Sequence, residues 1–486
     1  MNKESVLIGL ALVLSAPAAR AAETACPADF PEGPVIASHV EQADIVAGKL
    51  SFRRVFAIGE RLFQAKFNRC DGQGRPATTG AGDKRVADEP AFIRTSAPDA
   101  DACVGCHADP SSGGSGDFVV NVFVLAQARD PVVDSLSPAF SNERNTLGMH
   151  GSGAIEMLAR EMTADLKRQA AGLSDGEHTL MTKGVEFGVT IAGGQVVASR
   201  GVDKNLVIKP FHQAGVVVSL REFTVNAMNH HHGMQAEERF DLNPAKGFNP
   251  DFDEDGVTRE LTIGDITATT IYQAALGVPQ QVLPLNPVQR RSVQQGERLF
   301  KAIGCSGCHV PALRLDNPVF AEPNPLNPAG TFADTAQTYS FDLTRDGQFP
   351  RLERARDGGA IVHAYTDLKR HNLCDAESMP GAIRFFCNEQ LDQGRPAQDG
   401  RPGREFFITR KLWDVGSSAP YGHRGDITTI TEAILHHGGE ARATRDRFAA
   451  LPPLDQAAVV NFLKSLTVLP SEGVVLDGGA DHRRPY

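Results

Sequence analysis

The sequence predicts a mainly α-helical chain built from two related halves with long loop insertions. Three patterns predict it, each occurring twice and in the same order. The pentapeptide C-x-x-C-H stands at Cys103–His107 and again at Cys305–His309. The string Gly-Glu-Arg-Leu-Phe precedes each, at Gly59–Phe63 and Gly296–Phe300. Further on, Pro210-Phe211-His212-Gln213-Ala214-Gly215 is matched, at a constant offset of 210 residues, by Pro420-Tyr421-Gly422-His423-Arg424-Gly425.

C-x-x-C-H is the attachment pattern of a c-type haem. Its two thiols add across the haem vinyl groups, and the adjacent histidine reaches the iron. A zinc half-site would need two further ligands at typical spacing, and no such partner stands near either motif. A redox dithiol does not require the trailing histidine. The chain is therefore expected to carry two covalently bound haem c groups. Cys103, Cys106, Cys305 and Cys308 would hold the macrocycles, and His107 and His309 the irons.

The elements around the motifs complete the picture. A helix is predicted over Pro287–Ile303, with Val288, Val293, Leu299 and Phe300 on its apolar face, ended by Gly304. The last helix is predicted over Asp455–Leu466, with Ala458, Val459, Phe462 and Leu463 on one face and Pro452-Pro453 before it. A first and a last helix flanking the haem motif is the pattern of a cytochrome c domain. In the second half Cys305 follows Phe300 by 5 residues, whereas Cys103 follows Phe63 by 40. The first half thus carries an insertion rich in Gly, Pro and Asp, which reads as loop. Stretches 316–331 and 390–403 read as surface loops on the same grounds. The expected division is a leader over 1–21, a cytochrome c-like domain over 22–280 and a second over 281–486.

The leader is expected from Lys3, the short apolar run Val6–Leu14 and the small residues Ala19-Arg20-Ala21. That run is too short to span a bilayer, and no other segment is long and apolar enough. A periplasmic or secreted protein follows. The formal charge of -10 disfavours nucleic acid as a partner. Four cysteines remain outside the haem motifs: Cys26, Cys70, Cys374 and Cys387. An even remainder in an oxidising compartment reads as two disulfides. Three pairings are possible. Cys374–Cys387, which closes a short loop, together with Cys26–Cys70 is the favoured one.

The constant offset makes the two haem sites unequal. Ser219 and Thr429 each stand where they would cap the following helix. The second of these helices ends in Leu435-His436-His437-Gly438-Gly439. An imidazole there can close the far side of the second haem, and His437 is the choice, with His436 the runner-up. Methionine is the usual alternative ligand, but past Cys308 the only methionine is Met379. The residue matching His437 in the first half is Ala227, which cannot bind iron. The first haem is expected to keep an open site for hydrogen peroxide or dioxygen, unless one of His230, His231 or His232 swings onto it. Cleaving peroxide needs a proton-moving base and a charge to steady the leaving oxygen. Glu222 is the candidate acid–base group, His212 the second, and Arg221 the accompanying charge. Glu222 could equally serve only the N-terminus of its own helix.

These residues resemble the bacterial di-haem cytochrome c peroxidase/MauG superfamily, and more closely its di-haem oxidoreductase branch. The resemblance rests on both C-x-x-C-H motifs, Glu143-Arg144-Asn145-Thr146, Gly151–Thr163, Glu260–Leu276, Tyr365–His371, Leu412–Gly425 and Ile434–Ala441. It implies two cytochrome c-like domains. The N-terminal haem would meet substrate, and the C-terminal haem would take electrons from a small redox protein. The chain departs from the pattern in three places. Where the peroxidases put methionine or tyrosine on the second haem, the register here gives His437. In the peroxidases the catalytic glutamate directly follows the helix-start leucine; here Arg221 holds that place and Glu222 comes one later, about 100° further round the helix. The superfamily commonly has a tryptophan between the haems, and this chain's single tryptophan is Trp413, in the second half.

Asp251, Asp253 and Asp255 before Gly256 have the spacing of a calcium loop, with Thr262 at the twelfth position and Glu260 a possible substitute. The resemblance also implies an interdomain calcium. His363 and His371 are expected to make structural hydrogen bonds. Three functions remain: peroxide reduction at the first haem with electrons from the second, oxidation or oxygenation of an organic or protein substrate there, and electron transfer without a substrate.

Overall fold

The computed structural model describes residues 26, 32–74, 100–116, 119–121, 143–240, 256–378, 385–389 and 403–468. The expected leader and the calcium candidates Asp251, Asp253 and Asp255 lie outside the described residues. Ten α-helices lie within them: α1 (Gln42–Val46), α2 (Phe52–Gln64), α3 (Ser152–Ala170), α4 (Leu220–Ala227), α5 (Glu237–Phe240), α6 (Ile263–Ala274), α7 (Pro287–Ala302), α8 (Ile430–Leu435), α9 (Arg442–Ala449) and α10 (Pro453–Lys464). None is long and apolar enough to cross a membrane.

The repeat in sequence is a repeat in packing. Ser51 caps α2 by accepting from the Arg54 N–H, and the helix buries Val55, Ile58, Leu62 and Phe63. Asn286 caps α7, followed by Pro287 at the first helical position. α2 lies against α6, and α7 against α10. Phe63 meets Tyr272 at 5.2 Å between ring centroids, and Phe300 meets Phe462 at 5.3 Å. Both crossings are made at a glycine. A Cβ on Gly59 would stand 1.9 Å from the Ala268 carbonyl oxygen, and one on Gly296 would stand 1.9 Å from that of Ala458. Gly59→Ala and Gly296→Ala should each force a helix pair apart and lose about 1–3 kcal/mol. Chemical denaturation checks this; unchanged midpoints in both variants would refute the close crossing.

The fold is not mainly α. Helices hold 36% and strands 16% of the described residues, in ten helices plus several small sheets. The expectation failed because residues 176–200, to which no element was assigned, and residues 316–331, expected as loop, carry strand signals of their own. Residues 176–182, 185–192 and 195–200 form an antiparallel meander. Leu180, Val185, Phe187, Val189 and Ile191 point inward at a period of two, the strand pattern. Its turns are Lys183-Gly184 (φ 50° and 82°) and Gly193-Gly194 (φ 59° and 72°). Positive φ at both central residues is what a tight two-residue hairpin requires. The stretch 316–331 is likewise not simply surface loop. Val319–Glu322 pairs with Tyr339–Asp342, and Phe320, Glu322 and Asn324 are fully buried.

Two apolar cores result. The smaller belongs to the second half and gathers Val293, Phe300, Phe448, Val459 and Phe462. The larger gathers the first half's helices and also takes in Leu313, Leu315, Phe320, Val362 and Trp413 from beyond residue 281. Disulfides join Cys26 to Cys70 and Cys374 to Cys387.

Candidate functional site

Both C-x-x-C-H motifs open onto one cavity of about 1680 Å³. Each begins with a short 3-10 turn, Cys103–Gly105 or Cys305–Gly307. The four motif cysteines stand outside both disulfides. His107 and His309 hold equivalent positions. The His107 Nδ1 lies 3.3 Å from the Gly114 carbonyl oxygen, and the His309 Nδ1 lies 3.1 Å from that of Tyr365. A carbonyl can only accept, so each Nδ1 carries the proton and each Nε2 keeps its lone pair. Burial lowers both imidazole pKa values, that of His107 to about 4, which keeps the rings neutral.

The second site has an imidazole on each side. α8 is capped by Thr429, which accepts from the Glu432 N–H, and the helix ends at Leu435. His437 follows and lines the cavity, with its ring centroid 6.4 Å from that of His309. Metal–imidazole bonds of about 2 Å on either side of one ion place the ring centroids roughly 6 Å apart. The His437 Nδ1 donates to the Ala433 carbonyl at 3.0 Å, and burial lowers its pKa to about 4. His436 instead donates to Glu432 at 2.8 Å, its ring beside Phe385 and Phe386. The thiols, the neutral ring nitrogens and the gap between His309 and His437 fit a haem group.

The first site is built differently. Phe63 lies 6.2 Å from His107, as Phe300 lies 6.4 Å from His309. Ala227, at the end of α4, lines the cavity. Beyond it a π-helical turn, Met228–His232, carries the three histidines. His230 is exposed and His231 partly so. His232 is buried, its Nδ1 donating to Ala100 at 2.6 Å and its Nε2 3.3 Å from the Cys103 Sγ.

The constant offset survives in three dimensions. Phe211 bridges Val217, and Tyr421 bridges Ile427. His212 (φ 68°) stands where the second loop has Gly422 (φ 82°). His212 lines the cavity, and its buried Nδ1 has no partner among the described residues. Burial, with Arg144 nearby, lowers its pKa to about 4. Glu222 lines the cavity too. One of its oxygens accepts from the Val218 N–H at 2.7 Å, and its own N–H donates to Ser219. It therefore does serve its helix start, with that one oxygen.

Arg221 does not face the cavity. It is fully buried, 2.8 Å from Glu238 and 2.9 Å from Glu322, and it also donates to Thr267 and to the Ile263 carbonyl. One step round α4 is enough to carry it from the site into the core. Near it, Glu156 accepts from the Leu220 N–H at 2.8 Å and from Asn324 at 2.9 Å. Burial and the neighbouring Glu322 raise the Glu156 carboxyl to about 7 from its usual 4.5. A raised carboxyl pKa favours the fold at low pH, and that share is lost as pH climbs from 4.5 towards 7. Glu156→Gln should flatten this decline in denaturation midpoint, and an unchanged slope would refute the assignment.

Sequence reasoning overlooked a polar cluster between the paired loops. Arg144 lies 3.0 Å from Glu389, Gln213 donates to Glu389 at 3.3 Å, and the His423 ring sits 4.9 Å from Phe407. The matched loops held the signal, since Gln213 and His423 are equivalent in them. The other expected residues are placed as follows. His371 is held between Asp367 at 2.9 Å and Glu440 at 2.8 Å, and His363 is 3.5 Å from Glu353. Glu260 is buried and accepts from the Gln235 N–H at 2.7 Å. Trp413 is buried against Gly151 and is not among the residues lining the cavity.

Residues that could hold two haem groups, facing one cavity, describe a di-haem redox protein. Residues 382–466 match the family model described as "Di-haem oxidoreductase, putative peroxidase". Over that stretch the chain is similar to the di-haem oxidoreductases, which supports an oxidoreductase with haem as its cofactor. Among solved structures it is similar to hydrazine synthase of Kuenenia stuttgartiensis, pressurized with xenon, at 12% identity over 88% of this chain and 95% of that one, with a TM-score of 0.34. It is also similar to a MauG-like protein associated with microbial copper homeostasis, at 16% identity over 65% of this chain and 88% of that one, with a TM-score of 0.27. Likenesses this distant carry no argument about substrate. No curated protein matches the chain.

Proposed function

We propose that the chain is an exported di-haem c-type oxidoreductase that reduces hydrogen peroxide at its first haem site, with electrons entering from a small redox protein at the second. One observation carries this reading: His437 stands across from His309, whereas the matching residue on the first side is Ala227. A haem closed by two imidazoles suits electron transfer, and one with a vacant position can take a small oxidant. Cys103 and Cys106 attach the first haem, and Cys305 and Cys308 the second. The proposed domains are 22–280 and 281–486, the export signal is 1–21, and the protein is periplasmic or secreted.

Haem supplies the redox-active iron, and the protein supplies orientation and proton transfer. Glu222 faces the cavity with one oxygen anchored on Val218, which fixes the carboxylate's position while it moves a proton between the peroxide oxygens. The neutral His212, with an unpaired ring nitrogen, is the second group for that proton. Arg239 lines the same cavity and feels the Glu222 carboxylate, so it, rather than Arg221, supplies the positive charge. Two electrons and two protons convert one peroxide to two waters.

Electron paramagnetic resonance of the oxidised protein tests the asymmetry. One high-spin and one low-spin signal are expected. Two low-spin signals that persist on half-reduction would refute the open site and favour the electron-transfer reading, with one of His230 to His232 on the first iron. Oxidation of an organic or protein substrate is favoured to the extent that Glu222 is held by its own helix start. Peroxide turnover with reduced cytochrome c separates that reading from peroxide reduction.

A further inference from the structure

The structure assigns to Lys411 the role of a positioning residue shared by both proximal histidines, its ammonium joining the two loops that hold them. The assignment rests on the di-haem reading above and concerns how the two sites are coupled.

The loops are built alike. On the first side His107 donates to Gly114, and the carbonyl of the preceding residue, Gly113, accepts from the Met149 N–H at 2.8 Å. On the second side His309 donates to Tyr365, and the carbonyl of the preceding residue, Ala364, accepts from the Leu412 N–H at 2.9 Å. Gly148 and Lys411 immediately precede Met149 and Leu412, so they hold the same place in the two loops. They also touch, because the Lys411 Nζ donates to the Gly148 carbonyl at 2.7 Å. A path of five hydrogen bonds, joined by single steps along the backbone, therefore runs from one proximal imidazole to the other, with the Lys411–Gly148 bond at its midpoint. A glycine is required on the facing side: a Cβ on Gly148 would stand 2.7 Å from the Asp414 Oδ2.

Nothing in the proposed peroxide chemistry uses this lysine, yet burying a cation is costly. Lys411 is 9% exposed, and its nearest carboxylate, Asp414, is 3.9 Å away and is shared with Arg410 at 3.5 Å. Burial lowers the Lys411 pKa to about 7. Groups outside the first ligand layer orient metal ligands and tune the metal, and a histidine's hydrogen bond to a carbonyl is such a contact. One cation beside both proximal loops opposes positive charge on either iron; it favours the reduced, less positive form of both, and so raises the reduction potential of both. Removing it also leaves Asp414 closer to uncompensated.

The test is Lys411→Met in the full-length protein carrying both haems, titrated spectroelectrochemically at about pH 6, where the lysine keeps its charge. Both midpoint potentials are expected to fall relative to wild type, with the haem content per chain unchanged. A shift at one site only, or at neither, would overturn the assignment. Should Lys411→Met fail to accumulate, Lys411→Gln keeps a donor for Gly148 without the charge. Both potentials should again fall, and by the same criterion a one-site shift overturns the assignment. A wild-type protein with fewer than two haems per chain would instead refute the di-haem reading itself.

Discussion

Replacing His437 by alanine is expected to turn the second haem from low-spin to high-spin in the oxidised protein. The ring stands 6.4 Å from His309 between centroids, and its Nδ1 is committed to Ala433, so the nitrogen left over is the one a metal would use. No side chain of alanine can replace it. The variant should retain covalent haem, because Cys305, Cys308 and His309 are untouched, and it should gain the ability to bind small ligands at the second site. Electron paramagnetic resonance and the visible spectrum read the change. His436→Ala is the matched control, since that ring donates to Glu432 and packs beside Phe385 and Phe386. An unchanged low-spin signal in His437→Ala, or an equal change in His436→Ala, would remove His437 from the site.

The second large effect concerns stability. Arg221→Met should destabilise the fold by about 3–5 kcal/mol, because it strands Glu238 and Glu322 as buried carboxylates without their guanidinium. Both carboxylates are essentially inaccessible, and Arg221 is fully buried. Burial already raises the Glu238 and Glu322 pKa values, against the pull of Arg221. A chemical denaturation midpoint measures the loss. The same variant decides what Arg221 does. A residue acting on peroxide would cut turnover and leave the midpoint alone, whereas the buried ion pairs require the reverse order of effects. A loss below about 1 kcal/mol, the range of an exposed pair, would refute the network's importance.

Arg221 marks where reading the chain stopped. The paired motifs, the Gly-Glu-Arg-Leu-Phe helices and the constant offset were legible because each is local: a spacing, a cap or a helix period. The helices at Pro287 and Pro453 start within two residues of their expected positions for that reason. The strands were missed although Leu180 to Ile191 alternate, because the motif spacing that located the helices says nothing about residues 176–200. Arg221 was set beside the haem on neighbourhood in sequence, which cannot say which side of α4 a residue occupies.

By itself, then, the sequence determined the chemistry on offer and its duplication: two C-x-x-C-H motifs, two Gly-Glu-Arg-Leu-Phe strings and an unequal pair of positions at Ala227 and His437. Only the tertiary structure decided which groups share a space. It brought both motifs to one cavity, turned Arg221 inward, and joined Lys411 to Gly148 across 263 residues of chain. The physical reason is that covalent spacing sets what a segment can do locally, while burial and hydrogen bonding between distant segments depend on how helices and strands pack. That packing is settled by the whole core at once.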